Sequence, residues 1–296
     1  MDSHKKKLII IFGPTGVGKT DLTISLAKKL NTEIISCDSR QFYKELSIGT
    51  AAPTTEQLSE VKHHLVHHIS IHDYYNVSRF EQDSLKILNE LFKQKDVVLM
   101  TGGSMMYIDV ICNGIDNIPD IDPEIREHYK EILAKGDLDS LRFELKQVDP
   151  EYYKTVDLKN GKRIIRGLEV FAQTGKPFSS FRSSQKKQRD FEIVKIGLNR
   201  ERQELYERIN KRVDIMMKNG LLQEAEKYYP YKELNALNTV GYKELFSYMD
   251  GEISLEKAIE LIKRNTRRYA KRQLSWFNRY TDTKWYNPEE YLKFME

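Results

Sequence analysis

The run GPTGVGKT, Gly13 through Thr20, directly follows the apolar segment Lys7–Phe12 and precedes a stretch in which Leu22, Leu26 and Leu30 recur every four residues. Gly13, Gly18, Lys19 and Thr20 satisfy G-x-x-x-x-G-K-[ST], and a strand before it with a helix after it is the context that gives this pattern meaning. The spacing residues are Pro14, Thr15, Gly16 and Val17. Glycines let backbone N–H groups close around phosphate oxygens, the helix N-terminus adds partial positive charge, and Lys19 neutralises the far phosphate. Thr20 carries the hydroxyl that suits Mg²⁺. A strand, loop, helix and second strand demand a crossover connection, so the chain is constrained to an α/β fold with a parallel sheet. The motif identifies a diphosphate grip but not a reaction.

Four short apolar runs read as buried strands: Lys7 to Phe12, Glu33 to Ser36, Val97 to Thr101 and Ile193 to Leu198. Helical periodicity marks Leu205, Ile209, Val213 and Met216, and again Leu255, Ile259, Ile262, Thr266, Tyr269 and Leu274. Between them the character changes, from the loop NIPDIDP through charged helical patterns to the polar run SSFRSSQKKQR. The expected organisation is a core of residues 1–115 and 191–296 interrupted by a helical domain over 116–190. At 296 residues, 40% hydrophobic and 31% charged, the chain can bury a large core. The apolar runs fall far short of the roughly 20 residues of a membrane helix, and the start lacks a signal-peptide pattern. A cytoplasmic protein without membrane contact is expected. Cys37 and Cys112 lack CxxC spacing, so neither zinc nor a disulfide framework is indicated, and both read as small buried residues.

A nucleotide hydrolase of this loop class ordinarily has an acid at the end of a later strand. Here VVLMTGG ends in Thr101, Gly102, Gly103 and Ser104, and the nearest candidate is Asp38 in ISCDSRQFY. Following the second strand, Asp38 emerges on the same carboxyl edge as the phosphate loop. The net charge is only +4, but its distribution is uneven. Lys263, Arg264, Arg267, Arg268, Lys271, Arg272 and Arg279 occupy one stretch without an acid, and further clusters run from Lys159 to Arg166 and from Arg182 to Arg189. Such clusters suit phosphate contacts to nucleic acid.

GPTGVGKT, DSRQFY followed by IGTAAP, TGGSMMY, KRIIRGLEVF with TGKP, NTVGYKE and YAKRQLSWF, in this order from Lys7 to Phe277, resemble the tRNA dimethylallyltransferases. The resemblance implies a P-loop NTPase-like parallel sheet core with an inserted helical domain that binds the tRNA anticodon arm. It also implies dimethylallyl diphosphate as donor, Mg²⁺ as cofactor, and transfer of the five-carbon group to N6 of adenosine 37. Asp38 is then the catalytic base, with Ser39, Arg40 and Gln41 flanking the adenosine. Ser104 stands where the family more often has Thr and keeps a hydroxyl for the diphosphate or nucleotide, and Arg126 matches a substrate-contacting basic position. Lys162, Arg163, Ile164, Ile165 and Arg166, with Arg267, Lys271 and Arg272, fall in motifs tied to tRNA binding. No Cys follows Cys112, so the chain looks like the shorter bacterial form, without a zinc finger.

Three other readings share the phosphate loop. A small-molecule kinase does not explain YAKRQLSWF or the run from DSRQFY to IGTAAP. An adenylate isopentenyltransferase shares the prenyl chemistry but takes a free nucleotide, whereas the basic second half suits a macromolecular acceptor. An RNA-binding ATPase predicts ATP turnover without transfer. The histidines of HHLVHHIS, His63, His64, His67 and His68, read as structural or substrate-adjacent rather than as a metal site. No obligate protein partner is evident, and a monomer is the default expectation.

Overall fold

The computed structural model describes residues 6–116, 118–182 and 187–295. Residues 183–186 of the mid-chain basic run lie outside the described residues. The chain forms two compact units, Met1–Asn113 with Arg189–Glu296, and Gly114–Gln188.

The first unit is α/β. In chain order its elements are β1 (Lys7–Phe12), α1 (Lys19–Lys29), β2 (Ile34–Ser36), α2 (Thr55–Glu60), β3 (His63–His64), α3 (Val77–Leu91), β4 (Val97–Gly102) and α4 (Met105–Asn113). The second unit holds α5 (Pro123–Ala134), α6 (Leu138–Val148), α7 (Pro150–Thr155) and α8 (Gly161–Thr174). The first then resumes with β5 (Glu192–Leu198), α9 (Arg202–Lys218), α10 (Leu221–Tyr228), α11 (Tyr242–Met249), α12 (Leu255–Phe277), β6 (Lys284–Tyr286) and α13 (Pro288–Met295).

The six strands run in the order β3-β2-β4-β1-β5-β6, every neighbouring pair parallel. A parallel strand covered on both faces reads as a continuous apolar run, which is why KLIIIF, VVLM and the end of EIVKIGL were legible. Sequence patterning missed β3 and β6, which are only two and three residues long and begin with His and Lys at the sheet's edges. Register fixes what the core presents. Phe12 lies level with Gly102 and Gly197, and Ser36 with Thr101. The chain leaving β1, β2, β4 and β5 therefore emerges side by side along one carboxyl edge.

Among the described residues, apolar clusters join the sheet to the helices and the helices to one another. One joins Ile11, Leu22, Leu26, Leu99, Leu198, Leu205 and Ile209 across sheet and helices. Another joins Val213, Leu221, Leu237, Tyr242, Leu245 and Ile262, where α9 to α12 pack on one another. Cys37 is fully buried, but Cys112 is only half-buried. Arg189 is also corrected by the structure. Its side chain is only 9% exposed and donates to Glu81 at 2.6 Å and to the Val110 and Ile111 carbonyls, so it is committed to the core.

The helical unit has its own core of Tyr129, Leu141, Leu145, Tyr152, Ile164, Ile165 and Leu168. Ile164 and Ile165, placed by their motif among RNA-binding residues, are 0% and 4% exposed. They hold α8 in place and cannot meet a ligand; the exposed partners in the same motif are Lys162 and Arg163. Truncating Ile164 to Ala should cost about 2–5 kcal/mol in this unit, lowering the urea midpoint of its unfolding. Lys162→Ala should change stability by less than about 0.5 kcal/mol.

Candidate active site

Gly13 starts the phosphate loop where β1 lies so close to β5 that a Cβ on this residue would come 2.4 Å from the Leu198 carbonyl oxygen. Gly18 ends it as the N-cap of α1 with φ 104°, a conformation other residues adopt only with strain. Cationic side chains hold the loop's carbonyl oxygens from outside. Lys19 Nζ donates to Gly13 O and Pro14 O, both at 3.0 Å. Arg208 donates to Gly16 O at 2.9 Å, and Arg200, itself buried, to Val17 O at 2.8 Å. Arg212 reaches Thr15 Oγ1 at 3.4 Å. With carbonyls occupied and cations gathered, the loop is prepared for an anion. Val17 itself is fully buried and anchors the loop in the core.

The loop borders a cavity of about 430 Å³ together with Asp38, Ser39, Arg40, Gln41, Arg212 and α12's Tyr269, Arg272 and Gln273. Its remaining lining includes Val213, Met216, Leu221, Val240 and Ile262, which all belong to the second apolar cluster. Cationic and apolar surfaces therefore share one chamber. Thr20 borders it as well, beside Lys19.

The Asp38 turn is held by its own residues. Asp38 Oδ1 accepts the Arg40 amide at 3.0 Å, and Arg40 Nη1 donates to Asn235 O at 2.7 Å. Gln41 Nε2 donates to Ala51 O at 3.0 Å, tying the turn to the IGTAAP segment. That segment is anchored in turn by Glu224, which accepts the amides of Ser47, Ile48 and Gly49 and the Tyr242 hydroxyl. Ser104 is buried, and its Oγ accepts Ser39 N at 2.8 Å and bonds Ser39 Oγ at 3.0 Å. It fixes the Asp38 turn from below through these bonds to Ser39.

Burial of its amine lowers the Lys19 pKa to about 8, against the pull of Asp38 and with a further lowering by Arg212. Burial, and secondarily Asp38, push Tyr269 up to about 12, so its hydroxyl, which bonds Ser104, stays protonated at neutral pH. Arg212 is also lowered, first by burial and then by Arg208. A magnesium ion that keeps several waters and binds through substrate phosphates needs only one or two protein oxygens. Thr20 on the cavity fits that, and among the described residues no group of three or more His, Cys, Asp or Glu forms a dedicated cage.

Arg126 and Arg166 lie in the helical unit, where both approach the buried carboxylate of Glu169, at 3.8 and 3.6 Å. On α12, Lys263 pairs with Asp214, and Arg267 donates to Asn210, whereas Arg268, Lys271 and Arg272 are exposed. The four histidines do not converge. His63 meets Val61 O, His64 meets Glu33, His67 meets Ser47, and His68 packs on Phe42 and Tyr75.

Sequence reading missed Arg200, Arg208, Arg212 and Gln273. The i, i+4 spacing of Arg208 and Arg212, beside the apolar Leu205 and Ile209, was the available signal, because it puts both on one face of α9 next to its buried stripe.

A family model described as IPP transferase matches residues 41–280. The chain is 55% identical over 96% of its length to tRNA dimethylallyltransferase 1 of Bacteroides fragilis, covering 95% of that protein. Its fold matches the tRNA isopentenylpyrophosphate transferase of Bacillus halodurans at TM-score 0.68 and 35% identity, covering 96% of this chain and 90% of that one. It matches a eukaryotic dimethylallyltransferase acting on tRNA at TM-score 0.79 and 30% identity, covering 92% and 70%. With four-fifths of its length inside the family match and near-complete relatives on either side of it, the chain belongs to the IPP transferase family.

Proposed function

We propose that this protein transfers the dimethylallyl group from dimethylallyl diphosphate to N6 of adenosine 37 in tRNA, releasing pyrophosphate. One observation carries the reading: a phosphate loop ringed by Lys19, Arg200, Arg208 and Arg212 opens onto the same cavity as an apolar wall and a carboxylate. That is the shape of a small hydrocarbon diphosphate with a proton acceptor beside it. Nothing about a phosphoryl acceptor requires Val213, Met216, Leu221, Val240 and Ile262.

In the proposed step the bond from C1 of the donor to its diphosphate oxygen breaks, and the N6–C1 bond forms. The bonding electrons leave on pyrophosphate, which the loop and its cations stabilise as its charge grows. Asp38 accepts the N6 proton; one carboxylate oxygen is held by the Arg40 amide and the other serves as base. Thr20 would hold the magnesium ion, which would supply charge neutralisation for the diphosphate. The target base must leave the stacked anticodon arm to enter the cavity. The exposed Arg268, Lys271 and Arg272 of α12, and Lys162, Arg163, Arg166 and Arg126 of the helical unit, are the proposed phosphate contacts. Among the described residues, no helix is long and apolar enough to cross a membrane.

Labelled dimethylallyl diphosphate offered with unmodified tRNA or AMP tests this reading. Label is expected in tRNA alone, whereas label in AMP, or ATP hydrolysis without transfer, contradicts it. Asp38→Asn keeps the acceptor for the Arg40 amide but loses the base, so transfer should fall by about 10²-fold or more with tRNA affinity unchanged. Protonated Lys19 favours a bound diphosphate, so binding raises its pKa above the free value near 8. Donor affinity should therefore hold steady below pH 8 and fall above it, by up to about tenfold per pH unit. Direct donor-binding titrations against pH should show this decline in the native protein and not in Lys19→Met.

A further inference from the structure

Gln273 lies in the motif YAKRQLSWF directly after the exposed basic residues Lys271 and Arg272, yet it is 1% exposed. Its Oε1 accepts the Thr15 amide at 2.9 Å, and its Nε2 donates to Gly103 O at 2.8 Å. Thr15 belongs to the phosphate loop. Gly103 immediately precedes Ser104, whose hydroxyl accepts the amide of Ser39 next to Asp38. One buried amide thus links the loop that grips the diphosphate to the turn that carries the base.

We propose that Gln273 is a positioning residue for prenyl transfer, setting the phosphate loop in register with the Asp38 turn. This rests on the transfer reaction proposed above. An amide is the neutral side chain that donates and accepts through one rigid group, which this bridge requires. A Glu would set a carboxylate against the Gly103 carbonyl, and a Met would fill the volume with neither bond. Space at the far end is equally tight, since a Cβ on Gly103 would come 2.3 Å from Gln273 Nε2. The bridge also roots the loop in α12, the helix that brings Tyr269 and Arg272 to the cavity.

Two variants break the bridge from opposite ends, Gln273→Met and Gly103→Ala. In each, kcat should fall by roughly 10- to 100-fold, the range a misplacement of about 1 Å produces. The KM for tRNA should stay within about twofold, because neither change touches the basic surface. The double variant should be no slower than the slower single one, since both remove the same linkage. Calorimetry with inorganic pyrophosphate, independent of transfer, should show weaker binding in both. Native kcat and pyrophosphate affinity in both variants, or losses that multiply in the double variant, overturn the proposal. If the native protein transfers no label, the proposed reaction fails by itself. Pyrophosphate binding then decides the bridge, with weakening in both variants sustaining its hold on the loop and native affinity refuting it.

Discussion

The site depends on one arrangement of opposite polarities: the carbonyl oxygens of residues 13, 14, 16 and 17 are all engaged by Lys or Arg. A tight glycine-bearing loop has more carbonyls and amides than it can pair internally, and unpaired buried groups are costly. Satisfying the carbonyls with cations from α9 and the strand end before it solves that problem. It also places three guanidinium groups and an ammonium around the phosphate loop. The positive charges repel one another and are partly desolvated, as the lowered values for Lys19 and Arg212 show. An anion among them would relieve both penalties.

The rest of the core is arranged to return chain to that loop. Parallel register levels the ends of β1, β4 and β5, so the loop, Gly103 and Arg200 meet at one edge. Phe277, near the end of α12, packs on Phe12 at a centroid distance of 4.7 Å, which secures the helix over β1. From there Gln273 reaches the loop, and Tyr269 and Arg272 reach the cavity. Stability and chemistry share the same helix, which is why a buried residue can stand within a motif otherwise exposed and basic.

Much of this is legible in the sequence. Strands with continuous apolar runs and helices with a clear stripe announce themselves locally, as do the loop and Asp38. What stayed hidden depends on long-range closure. Arg208 and Arg212 look like ordinary surface charge on a helix until α9 folds back against the loop. Ser104 carries a hydroxyl that suits a phosphate, and only the proximity of Ser39 reveals that it also holds the Asp38 turn. Ile164 and Ile165 sit inside a motif whose charged members are exposed, and only the packing of α8 separates the two roles. Short, polar edge strands such as β3 and β6 depend on neighbours that a local pattern does not contain.

The central claim is that a loop class associated with phosphoryl transfer here holds a leaving group, with the bond broken at carbon. Dimethylallyl diphosphate carrying a heavy-oxygen label at the position bridging C1 and phosphorus tests this most directly, read by mass spectrometry of the products after one turnover on tRNA. Cleavage at carbon sends all of the label into pyrophosphate and leaves the modified adenosine without it. Label retained on the organic fragment would mean cleavage at phosphorus and would contradict the leaving-group role of the loop.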